Sequence, residues 1–107
     1  MRAKKTDGNH GKIRDHLRAI GWSVFDSHDI GRNFPDLVCA RRGFTVLVEV
    51  KNGVKAKLKR GQMEFARTWP GICIKVTSPE DAELQLDLAE KYQYLRHPPA
   101  YIERPED

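Results

Sequence analysis

Residues 45–50, Thr-Val-Leu-Val-Glu-Val, combine β-branched and apolar side chains with a single charge, a composition that predicts a β-strand. Because successive side chains of a strand point to opposite faces, the three valines share one face, and Glu49 lies on the other with Lys51. An ionised carboxylate in such apolar company is costly unless it is paired or binds a metal ion. Glu49 is therefore a candidate functional residue.

Residues 36–41 form the preceding strand, and Arg42-Gly43 forms a two-residue turn between the two strands. If Arg42-Gly43 is the whole loop, Asp36 lies directly opposite Glu49 on the same face, with Cβ atoms about 4.5–5.5 Å apart. A slip of one residue would instead place Asp36 opposite Val48 and on the other face. Because two neighbouring carboxylates repel each other, this register predicts a cation between them.

Asp36, Glu49 and Lys51 together have the residue types needed for metal-assisted phosphodiester cleavage. Two carboxylates hold a divalent cation through hard oxygen ligands. The cation can lower the pKa of a bound water, and the lysine places a positive charge beside the attacked phosphate or positions the water. A P-D dipeptide or an E-x-K triplet alone is common in ordinary turns and strands, so the prediction depends on their occurrence in consecutive strands.

The distribution of charge favours a polyanionic partner. The 107-residue chain has a net charge of +4, but residues 1–67 contain 15 Lys/Arg and 7 Asp/Glu, whereas residues 68–107 contain 4 and 8. Such asymmetry is typical of a surface that binds nucleic acid, although lysine-rich loops are also ordinary solvated surface. The predicted phosphate-binding residues follow the carboxylate pair in one loop: Lys55, Lys57, Lys59 and Arg60.

Periodicity and breakers predict the element order αβββαβα in a single small α/β domain, with a mixed central sheet flanked by helices. The predicted elements are a helix at 9–20, a strand at 22–25, a loop at 26–35, strands at 36–41 and 44–51, a loop at 52–59, a helix at 60–69, a strand at 72–76 and a helix from Ser78 to about 91. Residues 1–8 are predicted to be a flexible basic arm, 9–91 the folded domain, and 92–107 a C-terminal tail. In the second helix, Gln62 shares a face with Phe65, Ala66 and Trp69, and we expect this face to pack on the sheet and to bring Gln62 to the active centre.

Several classes of protein are disfavoured. No run of 18 apolar residues predicts a membrane span, and no apolar stretch follows the basic N-terminus as in a secretory signal, so we expect a cytoplasmic protein without a membrane partner. Cys39 and Cys73 lie in apolar strands without C-x-x-C spacing and are predicted to be reduced core residues rather than zinc ligands.

These motifs resemble the PD-(D/E)XK nuclease superfamily, and more narrowly the stand-alone VRR-NUC type of phages and prophages, over residues 7–90. Pro35-Asp36 matches the P-D of that family and Glu49-Val50-Lys51 its E-V-K. The later matches are to L-x-x-x-Q and F-x-x-x-W-x-G, at Leu58, Gln62, Phe65, Trp69 and Gly71.

The resemblance implies a restriction-endonuclease-like core and a Mg²⁺- or Mn²⁺-dependent endodeoxyribonuclease. Asp36, Glu49 and the carbonyl of Val50 would be metal ligands, Lys51 the catalytic lysine, and Gln62 a residue that orients the site. The resemblance to the stand-alone members also implies a homodimer that cuts branched DNA, including four-way Holliday junctions. Two active sites related by a two-fold axis suit two opposed strands.

The first helix departs from the family pattern. Many members have a metal-binding glutamate there, whereas the nearest residues of this chain are Asn9 and His10. One interpretation of His10 is that it contacts a metal-bound water. The favoured interpretation is that it is a lone surface histidine. Two other functions stay open: a non-catalytic basic DNA-binding module on a nuclease fold, and a sequence-specific restriction-type nuclease, for which the chain is short.

Overall fold

The computed structural model of the protein describes residues 8–53 and 55–93 in full and the backbone of residues 101–102. Its elements, in chain order, are α1 (His10–Ala19), β1 (Ser23–Asp26), a 3₁₀ turn (His28–Ile30), β2 (Leu37–Arg41), β3 (Phe44–Val50), α2 (Arg60–Thr68), β4 (Cys73–Val76), α3 (Pro79–Gln93) and β5 (Tyr101–Ile102). The predicted order αβββαβα in a small α/β domain is confirmed, with element ends that differ by one or two residues.

The strands form one mixed sheet in the order β1-β2-β3-β4-β5, antiparallel up to β3 and parallel from β3 to β5. The turn between β2 and β3 contains Arg42 at φ 50° and Gly43 at φ 79°. Positive φ at both central residues is the conformation of the tight hairpin turn whose twist matches that of the strands. This turn sets the predicted register, in which Arg41 pairs with Phe44 and Leu37 with Val48.

Helices cover both faces of the sheet. The larger core lies under α1 and α3, where Ile13 and Leu86 are fully buried with the three valines of β3. The hydrophobic core on the opposite face is smaller, and in it Leu47 of β3 packs against Ala66 of α2. Since side chains alternate along β3, Glu49 belongs to the same face as Leu47 and therefore lies under the beginning of α2.

Three sequence predictions need correction. Trp69 was expected to pack on the sheet with the rest of its helix face, but it is 36% exposed and stacks on Phe65, because it follows the last residue of α2. The predicted polar loop at 26–35 contains the 3₁₀ turn. Part of the predicted tail is structured: α3 continues to Gln93, and Tyr101–Ile102 pair with β4, whose edge would otherwise present unpaired backbone groups. Of the predicted basic arm, all but Gly8 lies outside the described residues.

Cys39 and Cys73 are free and buried, as predicted. Burial raises the pKa of each thiol to about 12, because the thiolate would lose its hydration. Among the described residues, no helix is long and apolar enough to cross a membrane.

Candidate functional site

The candidate site lies where β2 begins and β3 ends. Asp36 directly precedes β2, and Glu49 is the penultimate residue of β3. Leu37 pairs with Val48, so the next step of the same antiparallel register brings Asp36 beside Glu49. The register on which the carboxylate pair depends is therefore the one that the sequence predicts.

Asp36 is only 8% exposed, and both of its carboxylate oxygens are engaged. Its Oδ2 accepts a hydrogen bond of 2.9 Å from the backbone N–H of Val50, and its Oδ1 lies 3.0 Å from Nδ1 of His28. The N–H and carbonyl of one strand residue point to the same side of the strand. The Val50 carbonyl, a predicted metal ligand, therefore points to the side on which Asp36 lies.

Glu49 is 7% exposed and lies among polar groups on the α2 face of the sheet. Nζ of Lys51 is 3.8 Å from its Oε2, and Nε2 of Gln62 donates a 2.7 Å hydrogen bond to the same oxygen. The Lys51 side chain is itself only 12% exposed. A buried carboxylate is stabilised when opposite charge and hydrogen-bond donors replace its water, and these two neighbours supply both.

Gln62 reaches the site because it lies in the first turn of α2. Its Oε1 accepts a 2.8 Å hydrogen bond from the backbone N–H of Lys59, which would otherwise lack a partner at the start of the helix. Because the amide oxygen faces this N–H, the amide nitrogen faces Glu49. One side chain thus caps α2 and hydrogen-bonds Glu49.

The four predicted phosphate-binding residues, Lys55, Lys57, Lys59 and Arg60, are all exposed at the edge of this site. The loop that carries the three lysines is connected to the sheet by Lys75 of β4, whose Nζ donates to the Ala56 carbonyl over 3.4 Å, and Arg60 begins α2. Sequence reasoning missed Lys75. It is 9% exposed and pairs with Glu49 in the parallel register of β3 and β4. The available signal was a single charge in an otherwise apolar strand.

The prediction for His10 is wrong. His10 is not a surface residue but is 4% exposed, because the first turn of α1 packs against the ends of β1 and the following 3₁₀ turn. Its Nε2 lies 3.0 Å from Oδ2 of Asp26, and its ring meets the ring of His28 edge to face at 5.4 Å. Asn9 connects the same helix end to the sheet, since its Nδ2 donates to the Thr77 carbonyl over 2.6 Å.

Asp26 and His28 are further residues that sequence reasoning missed. Burial raises the pKa of the Asp26 carboxyl, but hydrogen bonds from His10, the His28 N–H and Arg14 outweigh burial and hold the pKa below its usual value. His28, His10 and Asp36 offer ligand atoms that all lie within 4.8 Å of one another. The only sequence signal for His28 was a polar loop before the P-D dipeptide.

The chain was compared with protein-family models, with curated proteins and with solved structures, and none of them matched. The inference of function therefore depends on the geometry and chemistry of the site itself. That site comprises a buried pair of carboxylates, a half-buried lysine and a glutamine contact at one end of the sheet. An exposed basic loop lies beside it.

Proposed function

We propose that this chain is a metal-dependent endonuclease that hydrolyses phosphodiester bonds of DNA, a member of the PD-(D/E)XK superfamily of the stand-alone VRR-NUC type. The observation that supports this most is the contact set of Glu49, a buried carboxylate next to Asp36 in the register, with Lys51 and Gln62 on the same oxygen. A lysine and an amide directed at one buried acid are costly to maintain for stability alone. Such charged and polar contacts around one buried acid are typical of a functional site.

The donor set fits the proposed Mg²⁺ or Mn²⁺. Asp36, Glu49 and the Val50 carbonyl offer only oxygen, the ligand type that these ions prefer. An ionised carboxylate has about four lone pairs on its two oxygens, so accepting a hydrogen bond, as Asp36 and Glu49 both do, is compatible with binding a metal ion. A bound cation would lower the pKa of a water and neutralise charge on the phosphate.

The side chains of the protein have three proposed roles around that ion. Lys51 places a fixed positive charge beside the scissile phosphate, where its low exposure limits screening by water. Gln62 holds Glu49 in one orientation, so that the carboxylate need not reorganise during the reaction. The basic loop binds the flanking phosphates, which positions the strand without reading its sequence.

The finer parts of the proposal derive from the resemblance of the sequence motifs. They are cleavage of branched DNA, including Holliday junctions, action as a homodimer, and a cytoplasmic location. A dimer would present two such sites to two strands of a junction. The exposed basic loop by itself would also suit a DNA-binding module without catalysis, and the experiment below separates the two functions.

The test compares wild type with Asp36→Asn and Glu49→Gln on labelled four-way junction, flap, duplex and single-stranded DNA, with Mg²⁺ or Mn²⁺. Each variant should lose cleavage by at least about 10³-fold, because it removes one charged oxygen ligand, while binding DNA within about threefold of wild type. Glu64→Gln is the matched control, since Glu64 is an exposed acid of α2 whose contact is with Arg67. Wild type that binds DNA but cleaves none of the four substrates would favour the non-catalytic module.

A further inference from the structure

A second group of potential ligands includes Asp36 but not Glu49. It consists of His10 of α1, His28 of the 3₁₀ turn and Asp36 itself, whose ligand atoms lie within 4.8 Å of one another. The three side chains are 5%, 11% and 12% exposed. Residues from three separate segments thus bring two imidazoles and a carboxylate together where little solvent reaches them.

The spacing between His28 and Asp36 suits a single ion. Ligands bound at about 2.1 Å to one metal ion are about 3.0–3.4 Å apart in octahedral or tetrahedral geometry. Nδ1 of His28 and Oδ1 of Asp36 are 3.0 Å apart, within this range. The rings of His10 and His28 meet at an interplanar angle of 64°, so they do not stack on each other and can converge on one point.

The surroundings of the group also match those of a ligand set. Asp26 Oδ2 contacts Nε2 of His10 at 3.0 Å, so a metal ion at this site would take Nδ1 of His10 as its ligand. A carboxylate that holds the far nitrogen of a ligating imidazole is the usual outer contact of metal-bound histidine. Asp26 also accepts the backbone N–H of His28 over 3.2 Å, and Arg14 Nη1 contacts it at 3.3 Å. One carboxylate therefore fixes both histidines.

We propose that His10, His28 and Asp36 form a binding site for one divalent ion of the first transition series, from Mn²⁺ to Zn²⁺, in preference to Mg²⁺ or Ca²⁺. Imidazole nitrogen is a good ligand for transition ions, whereas Mg²⁺ and Ca²⁺ prefer oxygen. The site goes beyond the proposed nuclease function and does not depend on it. It shares Asp36 with that function but not Glu49, which lies outside the group of three.

The test is direct binding of Co²⁺ and Zn²⁺ to the full untagged chain, by calorimetry and by the visible absorption of Co²⁺, with Mg²⁺ for comparison. Wild type should bind one equivalent of Co²⁺ at this site at least about 100-fold more tightly than Mg²⁺, with absorption bands of nitrogen ligation, whereas Co²⁺ on the oxygen ligands of the proposed nuclease centre would not give those bands. His10→Gln and His28→Asn should each weaken binding of Co²⁺ by about 10²-fold or more. Asp26→Asn should weaken it by about 10–100-fold, the usual loss when an outer carboxylate is removed.

His16→Gln is the matched control, because His16 lies in the same helix but contacts Glu83 and not this group. His97 lies outside the described residues, and His97→Gln excludes it as a ligand. Both controls should bind Co²⁺ as wild type does. Circular dichroism of every variant shows whether it is folded, and Asp26→Asn provides a test that leaves both proposed histidine ligands in place.

Glu49→Gln separates this site from the proposed nuclease centre. It should keep Co²⁺ binding unchanged while cleavage is lost, and the site would stand even if wild type cleaved no DNA. Two results would overturn the proposal. One is wild type without a Co²⁺ or Zn²⁺ site tighter than 1 mM, on the order of the weakest specific affinities. The other is binding lost in Glu49→Gln but retained in His10→Gln and His28→Asn.

Discussion

The side chain of Gln62 connects Glu49 to the first turn of α2. Its Nε2 donates to Glu49 Oε2 over 2.7 Å, and its Oε1 accepts the Lys59 N–H over 2.8 Å. Two groups that lie far apart in the chain are thus oriented by one amide. Because an amide has a distinct donor end and acceptor end, a substitution at this position affects both the helix and the carboxylate.

Gln62→Leu should therefore lower both stability and turnover. Loss of the helix-capping contact should cost about 1 kcal/mol of unfolding free energy. Loss of the contact to Glu49 should lower DNA cleavage by about 10–100-fold, as for other residues that orient a metal ligand. Urea unfolding and a junction-cleavage assay measure the two effects. Met63→Ala, at an exposed neighbouring position, is the control. It should change the unfolding free energy by less than about 0.5 kcal/mol and the cleavage rate by less than about twofold. Unchanged cleavage in Gln62→Leu would remove Gln62 from the site.

Lys51→Ala should lower cleavage by about 10²–10³-fold, the usual cost of losing one electrostatic stabiliser. The ammonium lies 3.8 Å from Glu49, but lysine is not a metal ligand. Binding of Mn²⁺, measured by calorimetry, should therefore stay within about threefold of wild type. Lys91→Ala removes an exposed lysine from α3 and should leave both quantities unchanged. If Lys51→Ala lost metal affinity and activity together, the assigned role would be wrong.

The basic loop should contribute to DNA affinity through its charge. Replacing Lys55 and Lys57 by Ala should reduce the slope of log K against log salt by about 0.9 for each lost phosphate contact on duplex DNA. The matched control is Arg67→Ala with Lys91→Ala, which removes the same charge from exposed positions on α2 and α3. Its slope should remain that of wild type. Equal changes in both double variants would mean that only net charge acts.

The Arg41–Glu90 pair should make stability depend on acid pH. The hydrogen bond from Arg41 holds the pKa of Glu90 below its usual value against the opposing effect of burial, and Arg42 lowers it further. A carboxyl with a lowered folded-state pKa stabilises the fold above its unfolded pKa of about 4.3, and this stability is lost as pH falls through the folded value.

Glu90→Gln should therefore cost about 1–3 kcal/mol at pH 7, because Arg41 is also half-buried and would lose one of its two carboxylate partners, keeping only Asp87. The difference from wild type should shrink as the pH falls below the unfolded pKa of the carboxyl. Urea unfolding at several pH values measures it, and Glu80→Gln, an exposed acid of the same helix, provides the control. A difference that stays constant from pH 7 to pH 3 would contradict the ionic origin of the effect.

Local sequence determined the hairpin and the helices that surround the site. The alternation of residues 45–50 identified which side chains of β3 enter the core, and Arg42-Gly43 set the register that brings Asp36 beside Glu49. These features depend on contacts between near neighbours, whose geometry follows from backbone periodicity and turn length. For the same reason the face of α2 that carries Gln62 could be predicted.

Only the tertiary structure decided the surroundings of that pair. The environments of His10 and Lys75 depend on how α1 packs against the end of β1 and on which strand lies beside β3. A parallel neighbour such as β4 is separated from β3 by a crossover, so no local pattern encodes its register. His10 therefore had the sequence features of a surface residue, although packing places it beside His28 and Asp36. These long-range contacts determine how buried the site residues are and which charges lie beside them. Burial and neighbouring charge in turn control the protonation of such groups.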